Sequence, residues 1–287
     1  EDPAVRAHLE AENRYKEEIL RPAGELREQL FKELVGRMRE DDVSAAYPEG
    51  NYLYRHRVEK GKQYRIHERA PRGAGKEGGW EVYYDENGEA EDKAYFDLGY
   101  LDVSPDGQLL AHATDVEGDE EFTVRFRDLR TGFDLPDALS PVAAEGEWDA
   151  GGEWFFYVVE DATRRPWRLL RHRLGTDSSQ DEEIHREEDA LFYLGIEKSQ
   201  DGQWIFAVSE SKETTEARAL SAEEPTGPAR LLLPRRQGIR YYPEHHEGRW
   251  LLRTNDDAPD FRLLSIPVET TEGADFLEER PAREALA

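Results

Sequence analysis

Acyl-transfer chemistry needs an activated nucleophile, and this sequence offers ten serines and no cysteine. A serine poised for attack often sits at a sharp strand-to-helix turn written Gly-x-Ser-x-Gly, and that pattern occurs nowhere in the chain. Ser104, Ser178, Ser179 and Ser199 fall instead in turns and polar loops. Eight histidines are scattered, and His245-His246 is the one doublet. Adjacent residues on a strand point to opposite faces, so with Glu244 and Glu247 beside it this segment reads as a polar surface turn rather than a metal site. His-Glu-x-x-His and calcium-loop spacings are both missing. The acidic runs Asp115 to Glu121 and Asp181 to Asp189 read as solvated loops. Gly73-Ala74-Gly75 lacks the strand and helix context of a phosphate loop, and no Walker lysine follows it. Arg164-Arg165 and Arg235-Arg236 are isolated in an acidic chain and are expected to pair with carboxylates. No residue is therefore assigned as catalytic, metal-ligating or substrate-binding, and no cofactor is implied.

The elements that carry these residues come in two kinds. Residues 2 to about 20 read as a helix, with Asp2 as N-cap and Pro3 at the first helical position. Val5, Leu9, Tyr15 and Ile19 mark one face. Arg21-Pro22-Ala23-Gly24 interrupts it, and a second helix carries Leu26, Leu30, Phe31, Leu34, Val35 and Met38 at helical spacing. Such a stripe has to be buried against something, and two helices cannot do that alone. The polar stretch Arg39 to Ser44 reads as a connector. From Tyr47 the period becomes 2, as in half-buried strands, and this places a helical arm at 1–46 and an all-β domain at 47–287.

Within the all-β domain a single hairpin recurs. Val103-Ser104-Pro105-Asp106-Gly107 turns between two strands, and related turns follow around Gly152, Gly202 and Gly248, with a weaker first copy at Pro48-Glu49-Gly50. The spacing suits a four-stranded blade with its loops, and blades bury both faces only when stacked on neighbours. Five repeats of this unit predict an all-β fold, a β-propeller with an N-terminal two-helix arm. The tail from Glu269 to Ala287 does not continue the pattern cleanly. Aligned on the turn glycines, no carboxylate is expected to recur at one position of the repeat.

Composition narrows the partners. The chain has 287 residues, 64 acidic and 38 basic, for a net charge of −26. A surface of that sign excludes nucleic acid, whose phosphates need clustered Lys and Arg, and favours cationic peptides. No apolar run approaches the roughly 20 residues of a membrane helix, and no signal peptide is visible, so no membrane partner is expected. Cysteine-free chains are compatible with a reducing compartment, and the expected location is cytoplasmic. The chain opens Glu1-Asp2-Pro3 and its one methionine is Met38, which reads as a processed product or a segment.

Several phrases carry a resemblance when taken in order. They are Leu9-Glu10-Ala11-Glu12-Asn13, Glu40-Asp41-Asp42, Glu59-Lys60-Gly61-Lys62-Gln63-Tyr64, Tyr100 to Gly107, Arg171-His172-Arg173-Leu174-Gly175-Thr176, and Thr254 to Leu263. Together they resemble the N-terminal portion of the oligopeptidase B (protease II) group of the prolyl oligopeptidase serine peptidase family, from Glu1 to about Val268. The resemblance implies a seven-bladed propeller that covers an α/β-hydrolase domain with a Ser-Asp-His triad. It also implies cleavage of short basic peptides after Lys or Arg, and helices that pack on the hydrolase domain. The triad has no counterpart here, so this chain alone is expected to be inactive. Two other readings share the repeat: a free-standing propeller that binds a protein or peptide, and a small propeller hydrolase for sugars or lactones, which would need clustered acids around its channel.

Overall fold

The structure, a computed structural model, describes residues 2–73, 78–269 and, as backbone, 277–280. Helix α1 spans Pro3–Leu20, and the Asp2 carboxylate accepts the Ala4 N–H at 2.9 Å, so the expected cap is in place. Arg21–Ala23 forms one tight 3-10 turn, and α2 follows over Gly24–Val35. The second helix stops short of Met38. At Gly36 the helical bond to Lys32 persists, but Arg37 and Met38 fall back to Leu34 and Val35, which tightens and ends the coil. Met38 therefore leaves the stripe. No residue of either helix is buried.

The connector is not free. Asp42–Val43 pairs with the strand Tyr52–Val58, with Asp42 opposite Val58 and Val43 opposite Arg57. Ser44 continues the pairing through both its backbone and its hydroxyl, each 2.9 Å from a backbone atom of His56.

All remaining strands fall into five antiparallel sheets, each paired in chain order. The first holds Tyr47–Glu49, Tyr52–Val58, Ile66–Pro71 and Glu81–Asp85, and the second Asp97–Val103, Leu109–Asp115, Phe122–Asp128 and Phe133–Val142. The third holds Gly146–Trp148, Trp154–Glu160, Pro166–Arg173 and Glu182–Arg186. Tyr193–Lys198, Trp204–Glu210, Thr215–Ser221 and Arg230–Leu233 make the fourth, and Tyr241–His246, Arg249–Thr254, Arg262–Pro267 and Leu277–Arg280 the fifth. Two expectations change here. The tail after Glu269 supplies the last strand of the fifth sheet, through Leu277–Arg280. The acidic run from Asp181 contains a strand, because Glu182 and Glu183 find cations on the neighbouring strand: Arg171 lies directly opposite and bonded to Glu182, and Arg168 reaches Glu183 at 2.6 Å.

The recurring turn has one chemistry. The Ser104 hydroxyl donates to Asp106 at 2.7 Å and accepts the Leu109 N–H at 2.9 Å, while Gly107 takes φ 75° to close the turn. Ser199, Asp201 and Gly202 repeat this arrangement, and in the third sheet Asp149 alone accepts the N–H groups of Glu153 and Trp154. The serines of these turns are thus structural.

Apolar side chains fill the spaces between sheets. Phe126, Trp148 and Phe155 stack edge to face where the second and third sheets meet. Phe156, Leu169, Ile205 and Leu220 are fully buried between the third and fourth. Trp204 and Phe206 meet Trp250 between the fourth and fifth, with ring centroids 4.7 and 5.8 Å apart. A strand with a sheet on each face therefore carries a continuous apolar run, as Trp154–Glu160 does, rather than an alternation.

Candidate functional site

The first strands of the first four sheets, and the turns that follow them, converge on one cavity of about 650 Å³. Its walls include Tyr52, Tyr54 and Tyr100, and its charged groups are Glu49, Asp102, Asp106, Glu147, Asp201 and Lys198. The placement follows from register. Asp102 lies opposite Ala111, Glu147 opposite Phe156, Glu197 opposite Phe206 and Glu244 opposite Leu251. In each case the partner is the third residue of the second strand. One carboxylate thus recurs at one position of four successive sheets, which overturns the expectation that none would. A signal was present in the sequence: Asp102, Glu147 and Glu197 each precede their turn glycine by five residues. Glu244 precedes Gly248 by four, because that hairpin is two residues shorter, one on each side of the glycine.

These carboxylates are starved of water and of cations. Burial pushes Glu147 up to about 7, against the pull of Lys198, whose ammonium stands 3.4 Å away, while Asp102 adds to the rise. Asp102 is itself raised by burial, although Lys198 and the Tyr100 hydroxyl, 3.0 Å from its carboxylate, pull the other way. Glu49 is raised by burial and then by Asp102. A neighbouring recess of about 450 Å³ holds Glu145, Glu197 and Glu210. Burial raises Glu197, and Glu244, Glu210 and Glu145 raise it further. Such a site lowers the energy of a positive guest, because the guest restores the charge balance that burial removed.

The histidine doublet divides as strand geometry requires, but not as a surface turn. His245 is 4% exposed, and its Nδ1 sits 2.6 Å from Asp201 of the preceding sheet. His246 faces solvent. Among the described residues no three His, Asp or Glu side chains gather as metal ligands would. The arginine pairs do meet carboxylates: Arg164 reaches Glu121 at 2.8 Å, Arg165 reaches Asp161 at 3.0 Å, Arg235 reaches Glu187 at 2.6 Å, and Arg236 bonds Asp256. Asp115 is buried and gathers the N–H groups of Glu117, Gly118 and Glu120, so its run is a built turn rather than a solvated one. Of Gly73-Ala74-Gly75, the last two lie outside the described residues. No helix among the described residues is long and apolar enough to cross a membrane.

Stacked four-stranded sheets with their first strands around a shared cavity define a propeller architecture. The family model "Prolyl oligopeptidase, N-terminal beta-propeller domain" matches residues 1–284, and the chain belongs to the prolyl oligopeptidase family of serine peptidases. It is 37% identical to protease 2 of Moraxella lacunata over 266 residues, covering 91% of this chain and 39% of that protein. It is 35% identical to dipeptidyl aminopeptidase BI of Pseudoxanthomonas mexicana over 291 residues, covering 96% of this chain and 40% of the relative. Among solved structures, oligopeptidase B from Leishmania major superposes with a TM-score of 0.89 at 29% identity, over 98% of this chain and 40% of that one. Oligopeptidase B from Trypanosoma brucei with covalently bound antipain, in its closed form, gives 0.86 at 29% identity over the same shares. The chain thus spans about 40% of the length of these relatives, as their N-terminal portion.

Proposed function

We propose that this chain is the propeller portion of an oligopeptidase B-like serine peptidase that hydrolyses short peptides after Lys or Arg, and that its role is to admit substrate rather than to cut it. The observation that carries the reading is the set of carboxylates lining the shared cavity, Asp102 and Glu147 of the recurrent position together with Glu49. Glu49, Asp102 and Glu147 face one cation, Lys198. A peptide bearing Lys or Arg supplies the missing positive charge, and low-dielectric walls focus the attraction at the entrance. A neutral peptide gains nothing there.

The helical arm supports the same reading. Its apolar stripe from Leu26 to Leu34 is uncovered, and we assign it as the face that packs on an α/β-hydrolase domain supplied by the longer protein. A free-standing scaffold would have no use for it. In this reading the five sheets form a portion of a seven-bladed ring, and the chain by itself hydrolyses no peptide bond.

The test compares the longer protein with its Glu49→Gln, Asp102→Asn, Glu147→Gln variant. At low salt, kcat/KM for a peptide with two or more basic residues is expected to fall at least tenfold. For a peptide whose one basic residue is the cleavage site the change should be much smaller, and salt should shrink the difference. Equal losses for both peptides, or none, would reject the gate. Hydrolysis of an Arg-amide by the isolated 287-residue chain, blocked by a serine-directed inhibitor, would reject the division of labour.

A further inference from the structure

We propose that His172 is a buried imidazolium that clasps the second sheet to the third, and that the clasp opens when the ring loses its proton. Donor counting requires the charged ring. His172 lies on Pro166–Arg173 of the third sheet and is 1% exposed. Its Nδ1 is 2.8 Å from Asp181, and its Nε2 is 3.1 Å from Asp137. Both partners are carboxylates, which accept and do not donate when ionised. A neutral imidazole has one N–H, so in that state one ring nitrogen would turn a lone pair towards a carboxylate oxygen. With both carboxylates ionised, only the doubly protonated ring satisfies both contacts.

Everything packed around the ring fits this charge state. From the second sheet come Asp137, on Phe133–Val142, and the Phe126 ring, which lies nearly parallel to the imidazole at 6.0 Å and offers its π face to a cation. From the third sheet come Asp181, just before Glu182–Arg186, and Tyr157, whose hydroxyl donates to the second oxygen of Asp181 at 2.8 Å. Arg168 is the further charge felt by Tyr157. The Gly175 N–H donates to the same Asp137 oxygen that faces the ring. No cation other than the ring itself bonds either carboxylate among the described contacts. Burial opposes the charged ring, but the bonds to Asp181 and Asp137 outweigh it and hold its pKa above the ordinary histidine value.

The sign of the pH effect follows. A group whose pKa is raised on folding gives its full stabilisation below the unfolded value, near 6.5 for histidine, and loses it as the pH climbs through the folded value. The clasp joins the outer strand of the second sheet to the third strand of the third, in the two sheets whose first strands carry Asp102 and Glu147. Its release loosens the outer contact while the apolar core of Phe126, Trp148 and Phe155 keeps the sheets together.

The experiment uses the full 287-residue chain with nitrogen-15 in its histidine rings. The expected result is that both ring nitrogens of His172 carry protons at pH 6.5 and that one is lost only above that pH, with the His172 signals assigned by their loss in His172→Gln. Amide protection at Asp137 and Gly175 should then fall at least tenfold between pH 6 and pH 9, with no matching fall at Phe155 to Val158. A neutral His172 ring at pH 6.5 in the folded chain would overturn the proposal. So would protection that does not change while the ring titrates. If His172→Gln does not fold, assignment through bonds in the wild-type chain leaves both measurements intact.

Discussion

Leu30 and Phe31 in α2 stand 47% and 64% exposed, whereas Phe155 and Phe156, adjacent on one strand of the third sheet, are both fully buried. Each pair occupies a regular apolar position in its own period. The strand has a neighbour on each face, because the second and fourth sheets flank it, and both phenylalanines find a core. Among the described residues the helix has no neighbour that buries either. Periodicity states that a face needs cover; it does not state which region of the protein supplies it.

This contrast sets the size of the expected effects. The largest belongs to Trp148, which fills the space between the second and third sheets and donates from Nε1 to the Asp102 carbonyl at 3.4 Å. Trp148→Ala should cost about 3–5 kcal/mol by urea unfolding. A loss below about 1 kcal/mol would mean the sheets close over the gap, and the contrast with the arm would fail. Next is Lys198→Met, which strips the cavity of its cation. Glu147, already raised to about 7, would rise further, so the charged form present at pH 8 becomes costlier while the protonated form at pH 5 is spared. The expected loss is about 1–3 kcal/mol at pH 8 and clearly less at pH 5. Equal losses at both pH values would show that Lys198 acts through packing. Gly107→Val is smaller, about 1–2 kcal/mol, because Gly107 holds φ 75° and an added Cβ would come within 2.9 Å of the Tyr52 ring. An unchanged melting curve would remove strain from that turn. The smallest effect belongs to the arm. Phe31→Ser with Leu34→Ser should change the stability of this chain by less than about 0.5 kcal/mol, since neither side chain is buried, yet weaken the longer protein by several times that amount. A large loss in this chain alone would mean that the stripe is covered after all.

Much of the architecture was legible in the sequence because local chemistry fixes it. Asp2-Pro3 starts a helix, Ser104 to Gly107 closes a hairpin, and alternation from Tyr52 marks a strand. What escaped the reading depends on groups far apart in the chain. His245 looks polar beside Glu244 and Glu247, and Asp201 and Trp204 of the fourth sheet are what make it a buried residue. Asp181 to Asp189 looks solvated until Arg168 and Arg171 are placed opposite it. The recurrent carboxylate was hidden for another reason. That position holds Asp once and Glu three times, and one turn is shorter, so alignment on glycine displaces Glu244 by one residue, whereas ladder register does not.

The strand that ties the arm to the first sheet has a mechanical consequence. From Asp42 to Glu49 the chain runs antiparallel beside Tyr52–Val58, beginning opposite Val58 and ending with Glu49 opposite Tyr52. Traction on the arm therefore arrives at one end of this ribbon as a peeling load, which strains a single pair of backbone bonds at a time rather than the whole row. The separation front would travel from Asp42 past Ser44 and Tyr47, and its last stop is Glu49 at the cavity wall. The arm and the cavity are thus two ends of one tether.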